Sequence, residues 1–362
     1  MKTVKIKSLH YKATFEGVGC VNYDAASHQN CELKSKKLLV GDYRDASNNA
    51  SYAKKSYFVE NGQDVFLYKV SSEALRHAAF VEEMPYINPT VLQIPHVLYN
   101  ALAHPALLCR GYMFTTKDSL GLKRKSPLCL PDAIEDGPKR TKVCLDIHTR
   151  AGEKNTAVKD ENMAKDTTLY RIENVGNNFY KTSGAIDVQE LQFISADPTY
   201  DRMGLDADGG EYGEMFMNAL RRNFPDFKGG FGYYYMQNQV TQDEWAEYGI
   251  LLDNKSVDYL VKYILKHIMN IQIYRRNAWL KFRSLEVSFD NEKTFVEITT
   301  DNIDEFFFDV DSKYRVADEQ RIIKNKELSD VVKEMKKEKS TKNNKGKKSN
   351  KKTEEITESL FE

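Results

Sequence analysis

The stretch FLYKVSSEALRHAAFVEE, residues 66–83, joins two periodicities through a pair of serines. FLYKV alternates as a strand does, whereas Ala74, Leu75, Ala78 and Ala79 recur at helical spacing and predict a buried helix face that turns Arg76 and Phe80 toward another side. A strand therefore empties into an amphipathic helix whose mouth carries Ser71, Ser72, Arg76 and His77. The first amides of a helix lack intrahelical partners and lie at the positive end of its dipole, so such a mouth suits a phosphate. The plainer role for one serine is to cap the helix.

Upstream, SYFVENGQDVFLYKV predicts a hairpin, because Asn61-Gly62 between apolar runs suits a tight turn with positive backbone angles. Further back, LHYKATF places Leu9, Tyr11, Ala13 and Phe15 on one face, the pattern of a half-buried first strand. That strand runs into EGVGCVNYD and a long polar loop containing Lys34, Lys36, Lys37, Arg44, Lys54 and Lys55. Downstream, IPHVLYNALAHPALL predicts a second helix and GYMFTT a short strand before the basic segment KRKSPLCLPDAIEDG. Residues 137 to about 168 are polar and without period, which predicts an insertion or flexible arm. Order resumes with LYRIENV and AIDVQELQFISADP, then a helix in EMFMNALRRNF and the run GGFGYYYM. A helix from Ser256 carries the stripe Val257, Leu260, Val261, Ile264, Leu265 and Ile268, and NAWLKFRSLEVSFD and KTFVEIT predict two closing strands.

Interleaved strands and helices of this kind predict an α+β fold with helices on one sheet face. The 362 residues suit one main domain, residues 1–320, with excursions at about 22–56 and 137–180. The lysine-rich end 321–362, including KKEKSTKNNKGKKSNKK, is too polar for a core and predicts disorder. Lys plus Arg and Asp plus Glu both number 53, so bulk positive charge cannot bring the chain to nucleic acid and any basic function must be local. The five cysteines form no C-x-x-C pair and the histidines no helical metal pair, which predicts a reduced cytoplasmic protein with no structural zinc. No apolar run approaches a membrane span, and neither metal nor cofactor is expected.

A second basic element, Lys123, Arg124, Lys125 and Ser126, follows a strand and precedes Pro127; a solvated surface patch is its plainer reading. Two short basic elements at strand ends fit contact with a nucleic-acid backbone better than catalysis.

The order of these features resembles the repeated backbone subunit of type I CRISPR surveillance complexes, the Cascade protein of the RAMP superfamily that polymerises along a guide RNA. The segments that carry the likeness are GCVNYD, the long loop after it, VSSEALRHAAF and RKSPLCLPDA, all within about the first 135 residues. The likeness suggests a type I-F variant or a type IV relative. The resemblance implies a ferredoxin-like, RRM-type core with large insertions in a right-hand shape of fingers, palm and thumb. It assigns Ser71, Ser72, Arg76 and His77 to guide phosphates, Asn22 to a loop approaching the RNA, and Lys123, Arg124, Lys125 and Ser126 to the same groove. It further implies a non-catalytic subunit whose partners are guide RNA (crRNA), further copies of itself, other Cascade subunits and, through the guide, target DNA in antiviral defence.

Two alternatives stay open: a type III-like relative that cleaves target RNA with Asp24, and an RRM-type RNA binder unrelated to CRISPR. Asp42 and Asp45 lie in the same loop, where solvated carboxylates are the simpler reading. GFGYYYM resembles an RRM strand whose rings stack on bases, but Met236 stands in an aromatic place and packing competes as an explanation. YRRNAW, with Arg275, Arg276 and Trp279, offers a contact to RNA or a neighbouring subunit, or simply an exposed helix end. DADGGE, residues 206–211, lacks the frame of a calcium loop and reads as a turn.

Overall fold

The computed structural model describes residues 1–19, 21, 23–25, 32–33, 36–37, 50–85, 87, 94–115, 121–136, 143–151, 167–196, 203–205, 211–224, 226–236, 246–275, 278–290 and 292–316. The chain packs as two compact units. The first comprises Met1–Met84, Leu128–Asp187 and Val261–Phe307, and the second Pro85–Pro127, Val188–Leu260 and the chain from Phe308.

The first unit is built on an antiparallel sheet. Its main strands are β1 (Ser8–Val18), β2 (Lys55–Glu60), β3 (Gln63–Val70), β4 (Ala133–Glu135), β5 (Asn178–Asp187), β6 (Gln272–Arg275) and β7 (Ala278–Phe289). They lie in the order β6-β7-β1-β5-β4-β3-β2. Along β1 the alternation is as read from sequence: Leu9, Tyr11, Ala13 and Phe15 are buried and the residues between them face outward. β2 and β3 form the expected hairpin, with Asn61 at φ 50° and Gly62 at φ 76° between the paired Glu60 and Gln63. Those positive angles are what the Asn-Gly pair supplies.

β3 passes directly into the helix Ser72–Phe80. Leu75 and Ala79 are buried as expected, but Phe80 is buried too, against the expectation that it turned away. It stacks on His267 and Tyr263 of the long helix Asn254–Met269, at ring-centroid distances of 5.4 and 6.5 Å. The apolar stripe of that long helix, Val257 through Ile268, is fully buried.

The two polar excursions hold strands of their own. Val143–Ala151 pairs antiparallel with Thr167–Val175, which pairs with Ala50–Ala53, and that strand pairs with Tyr23–Ala25. Segments about a hundred residues apart in sequence thus share one four-stranded sheet, a long-range pairing that low hydrophobic periodicity concealed.

In the second unit the predicted second helix is two, Pro95–Leu102 and Pro105–Arg110, because Pro105 lacks the amide needed to continue the first and starts the next instead. Strands Phe193–Ser195, Glu247–Leu251, Gly230–Met236 and Tyr314–Val316 form a sheet in that order, with Phe193, Tyr234 and Tyr314 clustered in its core. The start of the long helix is capped by Asp253, whose carboxylate accepts from the amides of Lys255 and Ser256 at 3.0 and 3.2 Å and from the Ser256 hydroxyl at 2.8 Å.

Candidate nucleic-acid interface

The helix mouth at residues 70–77 is assembled from two segments far apart in sequence. Strand β4 lies beside β3 with Ala133 opposite Val70 and Ile134 opposite Lys69, which brings Asp132 to the start of the helix. Ser71 has extended backbone angles and is the N-cap: its hydroxyl accepts from the Ala74 amide at 3.4 Å, and the residue is 8% exposed. The Ser72 amide donates to Asp132 Oδ1 at 2.8 Å, and Lys69 Nζ reaches Asp132 Oδ2 at the same distance. Arg76 donates through Nη2 to the Leu128 carbonyl at 3.1 Å. Ser72 and Arg76 are half-buried and His77 is exposed.

The Ser72 amide and the Lys69 ammonium at the mouth are thus both engaged by the Asp132 carboxylate. Partial burial works against charge on Asp132, yet the Lys69 ammonium, the Ser72 amide and nearby Lys54 together keep its carboxyl below the ordinary Asp value. On the segments that meet at this fixed carboxylate stand Lys54, Lys55, Lys69 and Arg76, with Glu73 in the first turn of the helix as a further acid. Lys55 lies 5.0 Å from the Tyr68 ring centre, which leaves its charge close to the edge of β3. Sequence reasoning missed Lys69 and Asp132, although both stand inside the two segments FLYKVSSEALRHAAFVEE and KRKSPLCLPDAIEDG. The signal was the Asp-Ala pair after Pro131, a polar side chain at the entry to a strand.

Lys123, Arg124, Lys125 and Ser126 belong to the second unit. They do not form a loop cluster: Lys123 and Arg124 lie in the strand Gly121–Arg124, paired to Tyr112–Thr115. The expectation for Arg124 needs correcting. It is 5% exposed, and its guanidinium donates to the carbonyls of Leu108 (3.1 Å), Phe193 (2.8 Å), Glu190 (3.2 Å) and Leu191 (3.1 Å). Leu108 lies in the last turn of the short helix Pro105–Arg110, and Glu190 and Leu191 lie in the last turn of another, Val188–Gln192. Carbonyls at helix ends lack intrahelical donors and carry the negative end of the dipole, so Arg124 is a clasp joining two helix ends, out of reach of RNA. Gly111 completes the join. It has φ 79°, and a Cβ there would meet the Arg124 carbonyl and the Ser126 amide at 2.7 Å. Ser126 donates to the Cys109 carbonyl at 3.3 Å, Lys123 is half-buried, and Lys125 is exposed.

Asn22, Asp42, Asp45 and Arg276 lie outside the described residues, as does most of DADGGE. Asp24 sits in the strand Tyr23–Ala25. In GFGYYYM three rings pack on neighbouring strands: Phe231 and Tyr233 lie 4.5 and 4.7 Å from Tyr248, and Tyr234 is buried against Phe193. YRRNAW is a strand pair and not a helix end, with Tyr274 opposite Trp279. Among the described residues no group of three or more His, Cys, Asp or Glu is placed to hold a metal, and no helix is long and apolar enough to cross a membrane.

The family described as "Type I-Fv CRISPR-associated protein Cas7fv-like" matches residues 5–319. Among solved structures, a chain titled "CRISPR RNA-guided surveillance complex" is similar at 10% identity and a TM-score of 0.31, covering 78% of this chain and 72% of that one. One titled "Type IV-B CRISPR Complex" is similar at 10% identity and 0.27, covering 49% of this chain and 73% of that one. A third, "CRISPR RNA-guided surveillance complex, pre-nicking", is similar at 9% identity and 0.27, covering 59% and 71%. No curated protein matches the sequence.

Proposed function

The chain belongs to the type I-Fv CRISPR-associated Cas7fv-like family, and from that premise we propose that it binds guide RNA through its phosphates, lines up in copies along it, and leaves its bases free to pair with target DNA. The observation that supports this reading is the pairing of β3 with β4, which brings Lys69 and Asp132 to the helix mouth beside the Ser72 amide. Ser72, Arg76, His77 and Lys69 are the contacts, with Lys123 and Lys125 as further donors from the second unit. Ser71 acts through the helix it caps. The core is ferredoxin-like on this reading: β1, β4, β5 and β7, taken in chain order with β2, β3 and β6 as additions, lie in the order fourth, first, third, second, all antiparallel, with a helix before β4 and another before β7. The subunit is non-catalytic and cytoplasmic; it works as a helical filament with other subunits and delegates cutting to a recruited nuclease.

The test is binding of the full chain to labelled guides of increasing length and unrelated sequence. Arg76→Ala with His77→Ala should weaken binding alike for every sequence and lower the salt slope by about 1 for each phosphate the variant no longer holds. Bound protein number should rise in steps with guide length. Unchanged affinity of the double variant at moderate salt removes the assignment of the mouth, and a single protomer on every length removes the filament.

A further inference from the structure

The hairpin β6–β7 carries a cluster that the proposed guide contacts do not use. Tyr274 and Trp279 stand directly opposite each other, and Gln272 stands opposite Lys281 one step further along the same face. Tyr274 is 60% exposed, far more than a packing aromatic needs. Its hydroxyl donates to Gln272 Oε1 at 3.0 Å, which fixes the ring's direction. The Lys281 ammonium lies 5.7 Å from the Tyr274 ring centre and 5.6 Å from that of Trp279. Across β1, Lys281 faces Glu16, which is ion-paired to Arg283, and Arg275 is exposed at the end of β6. The cluster thus combines two adjacent rings with an excess of positive charge.

We propose that the Tyr274–Trp279 pair with Lys281 is a stacking platform for an unpaired base of single-stranded RNA, the rings taking the base face and Lys281 the adjoining phosphate. Strand addition by another protein is the competing use of this sheet edge. It is disfavoured by a strand of only four residues that ends in Arg275, since short, charged edges resist pairing. Ring and cation side by side match instead the alternation of base and phosphate along a single strand. The inference rests on the guide-binding reading for the source of that strand.

The test uses the full chain with Trp245→Phe, which leaves Trp279 as the remaining tryptophan of two, and 20-nucleotide oligouridine beside an abasic strand of the same length. Oligouridine should quench Trp279 emission. Tyr274→Ala should weaken oligouridine binding about 5- to 100-fold and leave abasic-strand binding unchanged, while Tyr274→Phe stays within about twofold of the parent on both. An equal loss on both strands, or no loss on either, overturns the platform. So does a change in self-association with RNA binding intact, which assigns the edge to a protein partner. If the parent binds neither strand, the guide-binding reading itself fails. If Arg76→Ala with His77→Ala weakens oligouridine binding and Tyr274→Ala does not, only the platform fails.

Discussion

Arg124→Ala should destabilise the second unit without touching RNA contacts directly. The substitution removes a buried guanidinium and leaves four carbonyls, of Leu108, Glu190, Leu191 and Phe193, without that donor. A hydrogen bond to a charged group contributes roughly 1.5–3 kcal/mol, and a buried acceptor left unpaired costs about 1–3 kcal/mol. Simple addition overstates the loss, because water enters the space and the two helix ends relax. A net cost of roughly 3–5 kcal/mol remains, a large share of the stability of an ordinary domain. Arg124→Lys should lose less, about 2 kcal/mol, because one ammonium cannot span acceptors that the planar fork reaches together. Urea unfolding followed by circular dichroism gives the midpoints, and RNA affinity is measured on the same samples below the transition. The reasoning is refuted if Arg124→Ala shifts stability by less than about 1 kcal/mol, or if it remains folded yet loses RNA affinity. Lys125→Ala, at an exposed neighbour, should give the opposite pattern: near-native stability and a modest loss of binding at low salt.

Two further changes probe carboxylates. Asp132→Asn should cost about 0.5–1 kcal/mol at pH 7 through the partly exposed Lys69 pair, while strengthening RNA binding about 2- to 5-fold at low salt, because a negative charge leaves the mouth; unchanged or weaker binding would contradict the placement of phosphate there. Asp132 is held below its unfolded value, so its contribution is present above the ordinary Asp range near pH 4 and fades as pH falls through the lower folded value; the variant's deficit should shrink in acid accordingly. Asp253→Ala should cost about 1–2 kcal/mol as a lost helix cap. Burial opposes its charge, but donation from Lys228, Ser256 and Lys255 keeps its folded value low, so that deficit too should diminish below about pH 4, as read from urea midpoints at two pH values.

What the sequence disclosed and what it hid divide along the range of the interactions. β1, the Asn61-Gly62 turn and the stripe of the long helix each depend on residues within a dozen positions, and period or turn chemistry is enough to find them. The fate of Arg124 depends on carbonyls at positions 108 and 190–193, which become acceptors only once two helices end beside one strand. A run of Lys-Arg-Lys looks like a solvated patch whichever residue is buried. The same holds for Asp132: its carboxylate is unremarkable until β4 pairs with β3 and sets it against the Ser72 amide. Backbone pairing between the two polar excursions left no apolar alternation to read, and composition alone could not join them.

The carboxylate of Asp132 has a kinetic consequence for whatever reaches the helix mouth. Because it is covalently tethered beside the Ser72 amide, it meets every incoming ligand as an internal rival at a high local concentration. A solitary phosphate or a free nucleotide offers one or two charges and must displace that rival alone. A long strand gripped at several neighbouring points can lift it aside while its other contacts hold. On the proposed guide-binding reading the mouth discriminates by valence, favouring a polymer over the small anions of a cell.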